Sequence, residues 1–255
     1  MLGNSNPFDF SGKVVLVTGS GHGIGRSIAE AFTSAGANLA LHYHTSQVEA
    51  NEMAAGMPKA QVFQADLTNA DEVAALFRAI EQGLGGVDVL VNNAGSYPVR
   101  FLTEMTSAEW EAVLQTNLHS VFLTTQAAAK AMILRRQPGA IINISSVEAF
   151  FPAEGHAHYA AAKAGLLALT RSAALELGKY GIRVNALSLG LIARPGIEQS
   201  WQDGVERWLK AAPLGRMGTP QDVAQACLFL ASPAAAWITG ANLPVDGGVS
   251  CRPAF

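Results

Sequence analysis

Tyr159 and Lys163 are four positions apart in Tyr159-Ala160-Ala161-Ala162-Lys163, a spacing that sets both side chains on one face of a helix. A free phenol has a pKa of about 10, too high for efficient proton transfer near neutrality. A cation ~4 Å away contributes roughly 4 kcal/mol at an effective dielectric of about 20. At about 1.36 kcal/mol per pH unit, that draws the phenol towards the working range, against the opposing effect of desolvation. The chemistry expected of the pair is general acid/base proton transfer. A second feature is the run Thr18-Gly19-Ser20-Gly21-His22-Gly23-Ile24-Gly25. Its glycines permit a tight turn and close backbone approach to a ligand, and the helix expected after it turns a positive dipole end towards that turn, which suits a pyrophosphate. The spacing departs from G-x-G-x-x-G, because Ile24 fills the last glycine slot. Ser145-Ser146 closes an apolar run thirteen residues before Tyr159, where serines also serve as turn caps. The stretch Phe150 to His158 leads into Tyr159 and is expected to line a substrate mouth, with no chemical role assigned to its histidines.

The elements that must carry these residues are legible as short apolar runs separated by longer helical stretches. The runs are Val14–Val17, Leu39–Leu41, Val62–Phe63, Val87–Val91, Ile141–Ile144 and Ile182–Leu187. Continuous rather than alternating apolar runs suit parallel strands covered on both faces. Between them, Asp71 to Gln82 places Val73, Leu76, Phe77 and Ile80 at helical spacing. The expected fold is α/β: a single-domain, doubly wound parallel sheet, Rossmann-like, with helices on both faces. The rhythm breaks at about 191–219, where Pro195, Gly196, Trp201, Pro213 and Gly218 punctuate the chain. That segment is expected to overhang the ligand crevice as a substrate lid, a plain surface excursion being the alternative.

Bulk composition narrows the partners. The net charge of -3 over 255 residues, without a Lys/Arg-rich run, argues against nucleic acid or an anionic membrane. No apolar run approaches the ~20 residues of a membrane span, and Met1–Pro7 lacks the pattern of a signal peptide. Cys227 and Cys251 form neither a metal-ligand spacing nor a disulfide framework, so no metal is expected and a cytoplasmic setting is.

Thr18, Gly19, Gly23 and Gly25, then Asn92-Asn93-Ala94-Gly95, then Ser146, then Tyr159 with Lys163, follow one another in an order and spacing that resemble the short-chain dehydrogenase/reductase family. The resemblance runs from Gly12 to Val245-Asp246-Gly247-Gly248. It implies an NAD(P)-dependent oxidoreductase that moves a hydride between the nicotinamide and a secondary alcohol or ketone, such as a sugar, polyol, 3-oxoacyl or cyclic ketone. By this resemblance Tyr159 exchanges the proton, Lys163 lowers its pKa and holds the ribose, and Ser146 rather than Ser145 hydrogen-bonds the substrate oxygen. Asn117 supports a water relay to the lysine. The cofactor set it implies comprises Gly19, Gly21, His22, Gly23, Ile24, Gly25, Tyr43, His44, Thr45, Asp66, Leu67, Asn93, Ala94, Gly95, Tyr159, Lys163, Gly190 and Ile192.

Two positions depart from the family pattern. The family commonly carries Pro-Gly after the sixth strand and a Thr four residues beyond that Gly, whereas this chain has Leu189-Gly190 and Arg194. Arg194 either faces an anionic or hydroxylated substrate or is a solvated loop residue. The end of the second strand carries Tyr43, followed by His44, Thr45 and Ser46, in place of the acidic residue that reads a ribose 2′-OH. NADP(H) is therefore expected over NAD(H). The small faces around Ala127–Ala131 and Ala160–Ala164, with the family's habits, lead us to expect a homotetramer. The competing reading is a nicotinamide-binding regulatory or scaffold protein without turnover.

Overall fold

The computed structural model describes residues 6–251. Seven parallel strands form one sheet in the order β3-β2-β1-β4-β5-β6-β7. They are β1 (Val14–Val17), β2 (Asn38–Tyr43), β3 (Ala60–Gln64), β4 (Val89–Asn92), β5 (Gly139–Ser146), β6 (Ile182–Leu189) and β7 (Asn242–Val245). All six expected runs are strands or border one. The seventh, Asn-Leu-Pro-Val, lies on the sheet edge, the place in a sheet that tolerates Pro244.

The strands are apolar throughout because both faces are covered. Val15 and Val17 point to one side, packing with Ile28 and Phe32 of α1 (Gly23–Ser34), Met53 of α2 (Gln47–Ala55), and Val223 and Cys227 near the chain end. Val14 and Leu16 point to the other, meeting Val73, Leu76, Phe77 and Ile80 of α3 (Ala70–Leu84). Helix α3 forms where its spacing predicts, with Asn69 accepting from the Asp71 and Glu72 amides at its start and left-handed Gly85 at its end.

The remaining helices are α4 (Ser107–Leu114), α5 (Ser120–Arg135), α6 (Ala157–Leu177), α7 (Ile197–Ser200), α8 (Gln202–Ala211) and α9 (Pro220–Ala231). A π-helical turn, Gln115–His119, joins α4 to α5. The 191–219 segment contains α7 and α8. Its two ends meet in a parallel bridge between Ile192 and Gly218.

Strand order reverses between β1 and β4, which opens a crevice beyond their carboxyl ends. Polar side chains fasten the sheet just beneath it. Asn92 Nδ2 donates to Asn143 Oδ1 at 2.9 Å and to Thr125 Oγ1 at 3.2 Å, Thr124 Oγ1 donates to Asn92 Oδ1 at 2.7 Å, and Asn143 Nδ2 donates to Thr170 Oγ1 at 2.9 Å. All five residues are buried, so each bond replaces one to water. This chain of amides and hydroxyls ties β4 and β5 to α5 and α6. Asn143→Leu removes both bonds of one amide and leaves buried partners unpaired. It is expected to lower stability by roughly 1–3 kcal/mol, read as a lower urea midpoint at unchanged slope; an unchanged midpoint would show that the fastening is dispensable.

Candidate active site

The glycine loop sits at the carboxyl end of β1. Gly19 (φ +61°) and Gly23 (φ +54°) adopt the left-handed region. A Cβ at Gly25 would stand 2.3 Å from the Gly19 carbonyl oxygen and 2.6 Å from Asn93 Nδ2, so only glycine lets α1 begin this close to the loop. The start of α1 has no side-chain cap and no acidic residue in its first turn. By contrast, α3, α4 and α9 are each capped by a side chain and carry acids there. A bare positive helix end beneath a glycine cradle fits a pyrophosphate.

Two residues lock that loop to the next one. Thr18 Oγ1 accepts from the Asn93 amide at 2.9 Å and the Ala94 amide at 3.0 Å, while donating to the Val91 carbonyl at 3.3 Å. Asn93 Nδ2 donates to the carbonyls of Thr18 at 2.9 Å and Gly19 at 3.1 Å. The side chain of Asn93 is thus a brace, and its backbone with Ala94 and Gly95 borders the crevice. Towards β2, Gly21 abuts the start of α2, where a Cβ would lie 3.6 Å from those of Ser46 and Glu49. His22, His44 and Thr45 are exposed there, whereas Tyr43 and Leu67 are buried. Asp66 accepts from the Thr68 amide at 2.9 Å and hydroxyl at 2.7 Å, and this pairing holds its carboxyl below the usual range. At the other end, Gly190 fits between α8 and the sheet: a Cβ would meet the Trp208 ring at 2.5 Å and Asp246 Cα at 2.8 Å. Ile192 enters the bridge to Gly218.

Asn117, Ser146, Tyr159 and Lys163 converge from three elements. The π turn places Asn117 so that Nδ2 donates to the carbonyls of Ser96 at 2.8 Å and Val113 at 3.0 Å, while Oδ1 accepts from the Ser96 amide at 3.3 Å. π turns are common at functional sites. A Cβ at Gly95 would stand 2.6 Å from Asn117 Oδ1 and 3.8 Å from Lys163 Nζ, which puts the three residues together. Lys163 Nζ donates to the Ile144 carbonyl at 2.8 Å and lies 5.4 Å from the centre of the Tyr159 ring. Ser146 stands at Tyr159, close enough to favour its phenolate, whereas Ser145 donates to the Lys163 carbonyl at 3.3 Å.

The electrostatics differ from the expectation that Lys163 draws the phenol down. Burial pushes Tyr159 above its ordinary value, and Ser146 opposes only part of that rise. Burial also pushes Lys163 down, to about 8. The amine is held against a carbonyl and the ring, so desolvation outweighs the attraction assumed from sequence spacing.

Sequence reasoning missed one pair and one further residue. Glu148 and His156 bridge the chain between Ser146 and Tyr159, with His156 Nδ1 at 2.9 Å from Glu148 Oε2 and its ring 5.9 Å from that of Tyr159. The carboxylate raises the pKa of the imidazole. His42 contacts the glycine loop itself. The only prior signal for either was an ionisable residue near a strand end or in a loop. Arg194 lines a cleft with Ala193, Ile197 and Met217, and Leu189 is buried in the core. Among the described residues no group of three or more His, Cys, Asp or Glu could hold a metal ion. No helix among them is long and apolar enough to cross a membrane.

A family model described as Enoyl-(Acyl carrier protein) reductase matches residues 19–250. The 3-oxoacyl-[acyl-carrier-protein] reductase FabG of Staphylococcus aureus is 41% identical over 241 residues, 93% of this chain and 98% of the relative. The chain belongs to the short-chain dehydrogenase/reductase family. 3beta-Hydroxysteroid dehydrogenase 1 of Eggerthella lenta is 38% identical over 253 residues, 97% of each chain. A crystal structure of a candidate gluconate dehydrogenase from Agrobacterium tumefaciens superposes with a TM-score of 0.92 at 32% identity, covering 98% of this chain and all (100%) of its own. This short-chain dehydrogenase/reductase is accordingly an oxidoreductase that uses a nicotinamide dinucleotide on a small-molecule alcohol or ketone.

The depressed Lys163 has a measurable consequence. Its folded-state pKa of about 8 lies below the ordinary 10.5, so between these values the unfolded chain binds more protons and stability rises with pH. Below about 8 the buried charge is a standing cost of roughly 3 kcal/mol. Tyr159, shifted upward, contributes stability that is lost only above its ordinary value of 10.0, and the buried Cys227, also shifted upward, contributes stability lost above its ordinary 9.0, which leaves pH 8–9 to the lysine. Lys163→Met is expected to abolish the rise in unfolding free energy across that window, followed by urea titration at several pH values. A slope equal to that of the unsubstituted protein would place the titration elsewhere.

Proposed function

We propose that Tyr159 is the general acid/base, Ser146 the hydrogen-bond donor to the reacting oxygen and Lys163 the cation that favours the phenolate and holds the ribose. The observation that carries this is the convergence of Ser146 and Lys163 on one partly buried phenol, beside the crevice at which strand order reverses. When bound, the nicotinamide supplies or accepts the hydride and, oxidised, adds positive charge near the phenol. In reduction, Tyr159 Oη gives its proton to the developing alkoxide while Ser146 Oγ holds that oxygen. In oxidation the phenolate takes the proton back. Asn117 steadies Gly95–Ser96 and supports a water path to Lys163. The residues expected around the cofactor, from Gly19 and the bare start of α1 through Asp66–Leu67 and Asn93–Gly95 to Gly190 and Ile192, fit an extended dinucleotide along the crevice.

NADP(H) is the preferred cofactor in this reading. The end of β2 offers His44, Thr45 and Ser46 with His22 opposite, and no carboxylate at the 2′-position. The substrate is a ketone or secondary alcohol carried on an apolar body, of the 3-oxoacyl or cyclic kind rather than a sugar. Tyr97 stands 6.1 Å from Tyr159, Val99 abuts Gly155, and Phe101, Phe150 and Phe151 are exposed. The 191–219 segment is the lid over this wall. The protein acts in the cytoplasm as a homotetramer, an assembly that would cover Leu134 on α5, Leu175 on α6 and the 99% exposed Trp237. Static light scattering is expected to give four chain masses; a monomer would refute the assembly.

Initial rates with NADPH and NADH across 3-oxoacyl thioesters, cyclic ketones, sugars and an enoyl thioester test the chemistry. We expect NADPH-dependent reduction of the apolar ketones. Tyr159→Phe is expected to lose about 10²–10⁴ in kcat while keeping cofactor affinity. Undiminished turnover in that variant would remove Tyr159 from the reaction, and a preference for NADH would reverse the cofactor reading.

A further inference from the structure

His42 is the penultimate residue of the chain's second strand, a position where an aliphatic side chain would pack, and it is 2% exposed. Neither ring nitrogen serves the sheet. Nδ1 accepts the Gly19 amide at 3.1 Å, and Nε2 lies 3.0 Å from the Ala65 carbonyl. Because Gly19 can only donate, the ring is neutral with its proton on Nε2, which donates to Ala65. Both partners lie just past the ends of β1 and β3. They are loop groups with no ladder partner of their own, and a buried amide or carbonyl left unpaired is costly. The backbone carbonyl of His42 adds a third tie, accepting from the Ser20 amide at 3.0 Å and from its hydroxyl at 3.2 Å.

We propose that His42 is a positioning residue for the dinucleotide: one imidazole joins the glycine loop at Gly19 to the turn that begins at Ala65, and so fixes the distance between the loop that receives the pyrophosphate and the Asp66–Leu67 turn on the adenine side. The inference rests on the cofactor reading above and deepens it. It assigns a role to a side chain that touches neither cofactor nor substrate.

The alternative, a core histidine that is merely satisfied, does not explain the direction of both nitrogens. A core histidine needs partners anywhere; this one takes one from each of the two loops that flank the adenosine half of the crevice. Ionisable groups facing it are few. Asp66 lies on the β3 side and His44 just past the end of its own strand, and Val17–Ser20 on the β1 side carries none. Burial holds the imidazole down, at about 4 against an ordinary 6.5. A base depressed in the fold contributes stability that is complete above its ordinary value and is lost as pH falls towards the folded one. Protonation would turn Nδ1 into a donor facing the Gly19 donor and break the tie.

Fluorescence titration of His42→Leu, His42→Asn and the unsubstituted protein with NADPH, with ADP and with nicotinamide mononucleotide tests this, alongside steady-state kinetics. His42→Leu is expected to weaken NADPH and ADP alike by about tenfold or more, the factor that corresponds to ~1.4 kcal/mol. Nicotinamide mononucleotide, which does not span the two loops, keeps its affinity, and kcat at saturating cofactor stays within about threefold. His42→Asn, whose Oδ1 can take the Gly19 amide, recovers most of the loss. Its affinity does not follow that of the unsubstituted protein downward as pH falls towards 4. Unchanged NADPH and ADP affinity in His42→Leu, or in His42→Asn should the leucine variant not fold, together with an unchanged pH profile, would overturn the inference alone. So would a loss confined to kcat. Failure of the unsubstituted protein to bind NADPH, NADH or ADP would overturn the cofactor reading and this inference with it.

Discussion

Thr18 and Asn93 close the gap between the two central strands, and the crevice takes its form from that closure. Strands that diverge in connection at a reversal point leave backbone amides and carbonyls without ladder partners. Here one hydroxyl accepts two of those amides and one carboxamide covers two of the carbonyls. Gly19 can then turn left-handed against Ala94, and α1 can begin within van der Waals reach of the loop at Gly25. The buried amides of Asn92 and Asn143 continue the same fastening one layer down and reach the helices that carry Thr124 and Thr170. Asn117, Ser146, Tyr159 and Lys163 therefore stand on helices and a strand rather than on loops, as the proposed proton transfer over hydrogen-bond distances demands.

That rigidity coexists with a deliberate electrostatic cost. A lysine with almost no exposure, donating to a backbone carbonyl, is a poor choice for stability. Burial pushes Tyr159 and Lys163 in opposite directions, the phenol up and the amine down, so each is driven towards its neutral form. Groups desolvated in this way respond strongly to any further charge placed beside them. The site is poised rather than preset, and this resolves the difference from the simpler Coulomb argument made on spacing alone.

The parallel sheet was legible because strands buried on both faces leave uninterrupted apolar runs, whereas its strand order was not; the glycine loop and the set Asn117, Ser146, Tyr159 and Lys163, which the fold brings together, stood out by order and spacing. Strand β7 escaped because an edge strand of four residues containing proline carries little β signal. His42 escaped for a different reason. Within Asn-Leu-Ala-Leu-His-Tyr it reads as one more strand residue, and only the third dimension shows loops from two other strands closing on its ring. Glu148 and His156 meet because the chain folds back between Ser146 and Tyr159, a path that linear spacing does not reveal. The direction of the tyrosine shift was out of reach as well, since desolvation depends on what surrounds the phenol and not on which residue lies four positions along.

The bridge between Ile192 and Gly218 bears on how such a protein can change over evolutionary time. The Ala193 amide bonds to Gly218 at 2.8 Å and the Gly218 amide to Leu191 at 2.9 Å, so the excursion leaves the sheet and returns to it at nearly one point. A loop pinned at its neck transmits little of its own length or sequence to the scaffold. Insertions, deletions or wholesale exchange between the two pinned residues would leave the register of β6 with β5 and β7 untouched. Diversification is in this sense modular: the neck is the joint at which one excursion can be swapped for another without refolding the rest.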